Sequence, residues 1–296
     1  MTDTSNADCP ADSGQRETSG GYAALGGSDG RSENRMAGVG DTVAAEWCKL
    51  RSVRSTGAVL GTVGGFMVLC ALWSWYVARY WDGLPAARRG TAQTAPAEQP
   101  LAVSLPVCAV VLGALTLTSE YSSGMIRATL AAMPRRRALF LAKGGVAAGV
   151  MGAAALAAPA AGSVAGAVII GDRPVAAFQA PAADVAVHLL WLGLTTAAIT
   201  LVAFGLGGVL RSTAATITSG MAVLFVLPAL ARLLPSPWDE RIWSALPGSL
   251  ANQIAGPPGS SGDHGALSPP AAVALLAAYT VIALGAGAYA FTRRDA

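Results

Sequence analysis

The stretch Ser119-Glu120-Tyr121-Ser122-Ser123-Gly124-Met125-Ile126-Arg127-Ala128-Thr129-Leu130-Ala131-Ala132-Met133-Pro134-Arg135-Arg136-Arg137-Ala138-Leu139-Phe140-Leu141-Ala142-Lys143 separates two long apolar runs. It is the most polar and basic segment between such runs, with Arg127, Arg135, Arg136, Arg137 and Lys143 close together. A cation cluster placed between membrane-length runs marks a loop held on the cytoplasmic side. Reading outward from it, the neighbouring sequence is so poor in charge that water is a poor solvent for it.

The composition agrees. The 296 residues are 53% hydrophobic and only 12% charged, with a mean hydropathy of +0.49, whereas soluble domains carry about 25% charged residues. The chain therefore reads as an all-α integral membrane protein. A net charge of +3, spread over short loops, gives no basic face for nucleic acid. Cys9, Cys48, Cys70 and Cys108 form neither a disulfide framework nor a C-x-x-C metal spacing.

Residues 1–38 are rich in Ser, Gly, Asp, Thr and Asn. They are too polar to offset the entropy of ordering, so a disordered cytoplasmic tail is expected. The tail lacks the apolar core of a secretory signal, so no cleavage is expected. Residues 39–56 read as an amphipathic interfacial helix. Val43, Trp47, Leu50 and Val53 recur at helical spacing, Glu46, Lys49, Arg51 and Arg54 lie around the other side, and Asp41 is available as N-cap. Trp47 suits the headgroup layer, and the basic residues suit anionic membrane lipid.

Residues 57–296 contain six candidate spans, at about 57–78, 101–118, 144–170, 187–210, 214–234 and 270–291, each near the length of about 20 residues that a crossing needs. The first ends in Trp73, Trp75, Tyr76, Tyr80 and Trp81, an aromatic belt. Its Gly57, Gly61 and Gly65 form overlapping G-x-x-x-G spacings that permit close helix contact, although spacings of this kind also arise by chance among 35 glycines. Pro159 predicts a kink or break in the third span. Residues 235–269 predict one or two short interfacial helices, broken by Pro247 and Pro257.

Six spans put both termini on one side. With the N-terminus inside, only Arg79, Arg88, Arg89, Arg173, Arg232 and Arg241 face outward, and every other Lys and Arg faces inward. The positive-inside rule thus selects an N-in, C-in arrangement.

No G-x-x-x-x-G-K-[ST] or H-E-x-x-H occurs, and the G-x-S-x-G spacing at Gly26-Gly27-Ser28-Asp29-Gly30 lies in the polar tail, so no nucleotide or hydrolytic site of a recognisable kind, and no cofactor, is expected in this chain. His188 reads as an interfacial residue, and His264 falls in a Gly/Ser-rich loop. Intramembrane ionisable groups cost about 2.5–3.5 kcal/mol each on insertion scales and are retained for a purpose. The spans carry essentially none, with Glu120 and Arg232 at their ends, which disfavours an ion-driven carrier. Uphill transport would need energy from another subunit. Thr116, Thr195, Thr196, Thr200, Thr216 and Thr218 would then touch substrate, or else satisfy carbonyls of their own helices.

Thr118-Ser119-Glu120-Tyr121-x-x-Gly124-x-Ile126-Arg127-x-Thr129-Leu130, continuing through Pro134-Arg135-Arg136 to Ala142-Lys143, resembles the first cytoplasmic loop of permease subunits of actinobacterial type-2 ATP-binding-cassette exporters. Glu46-Trp47-x-Lys49-Leu50-Arg51-Ser52-Val53-Arg54-Ser55-Thr56 resembles the segment ahead of their first span. The resemblance implies a dimerising permease, with a like or unlike second permease subunit, working with a separate P-loop ATPase that holds ATP and Mg. It implies export of a hydrophobic or amphipathic substrate. It makes Glu46, Trp47, Lys49, Arg51 and Arg54 parts of a connecting helix. It assigns Glu120, Tyr121, Gly124, Arg127, Thr129 and Leu130 to a coupling helix that projects into the cytosol between spans two and three. Residues 235–269 would cap the substrate path. The alternative class is a non-transporting sensor or anchor whose basic loop recruits a partner.

Overall fold

The computed structural model describes residues 40, 43–89, 92, 94–124, 136–255 and 267–294. The described residues are helical or irregular, without a strand. A surface helix, α1 (43–52), is followed by α2 (Arg54–Gly83), α3 (Gln99–Ser123), α4 (Arg136–Ile170) and α5 (Ala182–Leu210). Then come α6 (Thr213–Ala231), the short helices α7 (Trp238–Ala245) and α8 (Pro247–Ala255), and α9 (Pro269–Arg294). Among the described residues six helices, α2 to α6 and α9, are long and apolar enough to cross a membrane. This is the architecture of a multi-pass membrane protein.

The helices outrun the apolar stretches that announce them. At 1.5 Å per residue α2, with 30 residues, is about 45 Å long, and α4, with 35, is about 50 Å. Both exceed a hydrocarbon core of about 30 Å, so their polar ends stand beyond it. Pro159 does not break α4, which runs through it from Arg136 to Ile170. A long membrane helix can accept one missing N–H where local adjustments satisfy the freed carbonyl.

α3 and α5 form the centre. The apolar window of α3 is 61% buried and that of α5 50%, against 22% for α2 and 17% for α6 and α9. Their approach depends on absent side chains: a methyl at Gly113 would collide with the Thr200 carbonyl, and one at Gly205 with the Ala283 carbonyl of α9. The Gly57, Gly61 and Gly65 set of α2 behaves differently, with no other helix among the described residues within 4 Å of where their side chains would start. The aromatic belt of α2 also divides: Trp75, Tyr76 and Tyr80 are exposed, Trp81 is buried, and Trp73 donates to the Ala95 carbonyl at 3.2 Å.

Towards its far end α6 passes through a π-helical turn, Ala222–Val226. There Gly248 of α8 lies against the Leu224 carbonyl. Pro247 opens α8, as a proline in a first turn can without losing a bond, while Pro257 lies outside the described residues. Leu250 of α8 is buried with Ala272 and Leu276 of α9, and Tyr279 donates to the Ala245 carbonyl at 3.2 Å. At this same end Arg173, in the loop after α4, grips Asp82 of α2 through two bonds of 2.8 and 2.9 Å.

Candidate functional site

At the opposite end α3 finishes at Gly124, whose φ of 71° gives the left-handed cap that glycine adopts without strain. Leu117, Glu120 and Tyr121 lie one turn apart on α3, and Phe140 and Lys143 occupy successive turns of α4. Leu117, Phe140, Phe204 of α5 and Phe291 of α9 form a buried cluster, with ring centres 4.7 Å apart for Phe140–Phe204 and 5.5 Å for Phe140–Phe291. Against this apolar floor stands a chain of charges.

Lys143 Nζ donates to Glu46 Oε2 at 2.7 Å and to Glu120 Oε1 at 2.8 Å, and Lys49 also donates to Glu120 Oε1. Lys143 is 2% exposed, Glu120 3% and Glu46 7%. Two carboxylates and two ammonium groups leave the set neutral, which is what permits it to be buried. The set joins three elements: α1 supplies Glu46 and Lys49, α3 supplies Glu120, and α4 supplies Lys143. Glu120 Oε2 is buried without a hydrogen-bond partner among the described residues. Next to it the Arg211 guanidinium carbon lies 5.3 Å from the centre of the Tyr121 ring.

These contacts change the reading of two predicted elements. The surface helix was expected to separate an apolar stripe, Val43, Trp47, Leu50 and Val53, from a charged side. Val43, Trp47 and Val53 are 41%, 46% and 38% exposed, but Leu50 leaves that stripe: it is buried against the bundle together with Glu46, with Lys49 beside them. The physical reason is that the neighbour of α1 is not a purely apolar core but the charged rim of α3 and α4. Arg51 and Arg54 are exposed, and Val53 is extended, separating α1 from α2.

Glu120 and Tyr121 belong to the last turn of α3, and Glu120 is enclosed rather than projecting. Arg127, Thr129 and Leu130 lie outside the described residues. Lys143, read from the sequence as a loop cation, sits inside α4 as the centre of the network. A signal for it existed: a lysine at the edge of an apolar run needs a carboxylate, and Glu120 and Glu46 are acids at the edges of others.

The threonines resolve in one direction. Thr116, Thr195, Thr196, Thr200 and Thr216 all donate to carbonyls three or four residues back in the chain, and all but Thr116 are buried. They serve their own helices. Thr218 is exposed. His188 Nε2 lies 3.7 Å from Glu98 Oε1 near the Asp82 end. Among the described residues no group of three or more His, Cys, Asp or Glu side chains could hold a metal ion.

The arrangement is a chain of ion pairs set against an aromatic floor. What it does mechanically is fasten a surface helix to the ends of two spans. No protein-family model and no curated protein matches the chain.

Proposed function

We propose that this chain is the membrane-spanning permease subunit of an ATP-binding-cassette exporter. A separate P-loop ATPase subunit supplies the energy from ATP and Mg, and a second permease subunit completes the translocation path. One observation supports this reading most strongly: the buried Glu46–Lys143–Glu120–Lys49 chain ties α1 to the ends of α3 and α4. A partner pressing on α1, or on the segment between α3 and α4, would move both spans together, because a joint of buried charges resists separation. On this reading that end is cytoplasmic, both termini lie inside, and α7 and α8 cap the outer side. The apolar faces of the spans suit a hydrophobic or amphipathic substrate.

The test is to co-express the chain with a P-loop ATPase encoded beside it, purify in detergent, and measure ATP hydrolysis by the recovered complex. The reading expects stoichiometric recovery and hydrolysis that depends on the permease. Recovery of the chain alone, at normal expression of both, contradicts it and favours a membrane anchor or sensor.

A further inference from the structure

Arg211 is the one non-glycine residue with positive φ among the described residues, at φ 54°. It forms the C-cap of α5, its N–H bonding the Gly207 carbonyl at 2.9 Å. Glycine or asparagine is the usual occupant of such a cap, because a larger side chain is strained there. A strained residue that persists points to work done by its side chain. That side chain reaches two other helices: Nη2 donates to the Ala290 carbonyl in the last turns of α9 at 3.2 Å, and the guanidinium lies over the Tyr121 ring in the last turn of α3.

The topology explains why a cation belongs at this point. α3, α5 and α9 run in the same direction, so their C-termini meet at the Glu120 end. Each helix C-terminus carries roughly half a negative charge on its unpaired carbonyls. Three such ends converge beside a carboxylate network that is itself only neutral. One guanidinium, planar enough to stack on a ring while donating to a carbonyl, offsets them where a glycine could not.

We propose that Arg211 is a positioning residue: it holds the C-terminal turns of α3, α5 and α9 together and thereby fixes Tyr121 and the adjacent Glu120 in place. The strained backbone is the cost of placing the cation there. The inference rests on the backbone and side-chain geometry at Arg211 and holds whether or not the chain is a permease.

The test uses the purified full-length chain in detergent with Arg211→Gly and Arg211→Lys. If the side chain did nothing, glycine would be neutral or stabilising at this φ. The proposal expects Arg211→Gly to melt several degrees below wild type and Arg211→Lys, which keeps the charge, to fall between them. Deuterium exchange in the last turns of α3 and α9 should rise about fivefold or more in Arg211→Gly, with the Asp82 end unchanged. An Arg211→Gly midpoint at or above wild type overturns the proposal, as does a lysine variant no better than glycine. Should Arg211→Gly not fold, Arg211→Gln carries the test, since it keeps a donor but loses the charge. Tyr121→Leu should then cost less in the glutamine background than in wild type, and an equal cost in both overturns the proposal.

Discussion

At the Asp82 end, Arg173 holds Asp82 through paired bonds of 2.8 and 2.9 Å, in the fork geometry that guanidinium and carboxylate favour. At the Glu120 end, Lys143 makes bonds of similar length, 2.7 and 2.8 Å, with less directional groups. Geometry alone would rank the Asp82 joint first. Exposure reverses the order: the Arg173 and Asp82 side chains are 34% and 51% exposed, whereas those of Lys143 and Glu120 are 3% and 4%. Water and salt compete for the first pair and scarcely reach the second. The difference teaches that burial, and not bond geometry, decides which joint resists separation.

The largest expected effect follows from removing the central cation. Lys143→Met leaves Glu46 buried without its partner and Glu120 with Lys49 alone, and should cost about 3–5 kcal/mol, read as a fall in the thermal midpoint in detergent. Glu120→Ala should cost less, because Lys143 keeps Glu46 and the half-exposed Lys49 can turn to water. That variant is therefore a poor probe of coupling by itself, since stability and any transport would fall together.

A second substitution set sharpens the point. Replacing Glu46, Glu120 and Lys143 together by methionine leaves no stranded charge. The triple variant should be more stable than Lys143→Met alone, because apolar groups of similar volume substitute well for a buried ion network. A triple variant less stable than the single one would mean that the network is worth more than its removal of mutual desolvation.

The smallest effect belongs to the opposite end. Asp82→Asn should leave the thermal midpoint almost unchanged at high salt and lower it slightly at low salt. A salt-independent loss as large as that of Lys143→Met would abolish the contrast between the two ends.

Much of the fold was legible in the sequence. Charge-free runs of membrane length identify α2 to α6 and α9, since little else makes such runs stable. The ends were less legible: hydropathy stops where polar residues begin, yet helices continue, so Glu120 and Lys143 fall inside α3 and α4. The surface helix was legible as a helix but not in its orientation. Periodicity separates an apolar from a polar side but does not say which residues of the polar side meet a partner helix. Glu46 and Lys49 read only as part of a polar side opposite the apolar stripe, and no spacing shows that they bind the helix to α3 and α4. Arg211 was visible only as a turn cation, because nothing in the sequence reports its φ or the convergence of three helix ends.

The central claim is that charge, and not the apolar stripe, fastens α1 to the bundle. Deuterium exchange over residues 43–52 tests it directly in three forms of the full-length protein in the same detergent: wild type, Lys143→Met and Trp47→Ala. The account predicts a sharp rise in exchange in Lys143→Met and wild-type exchange in Trp47→Ala, whose side chain is 46% exposed. Release of the helix by Trp47→Ala, with Lys143→Met indistinguishable from wild type, would contradict it.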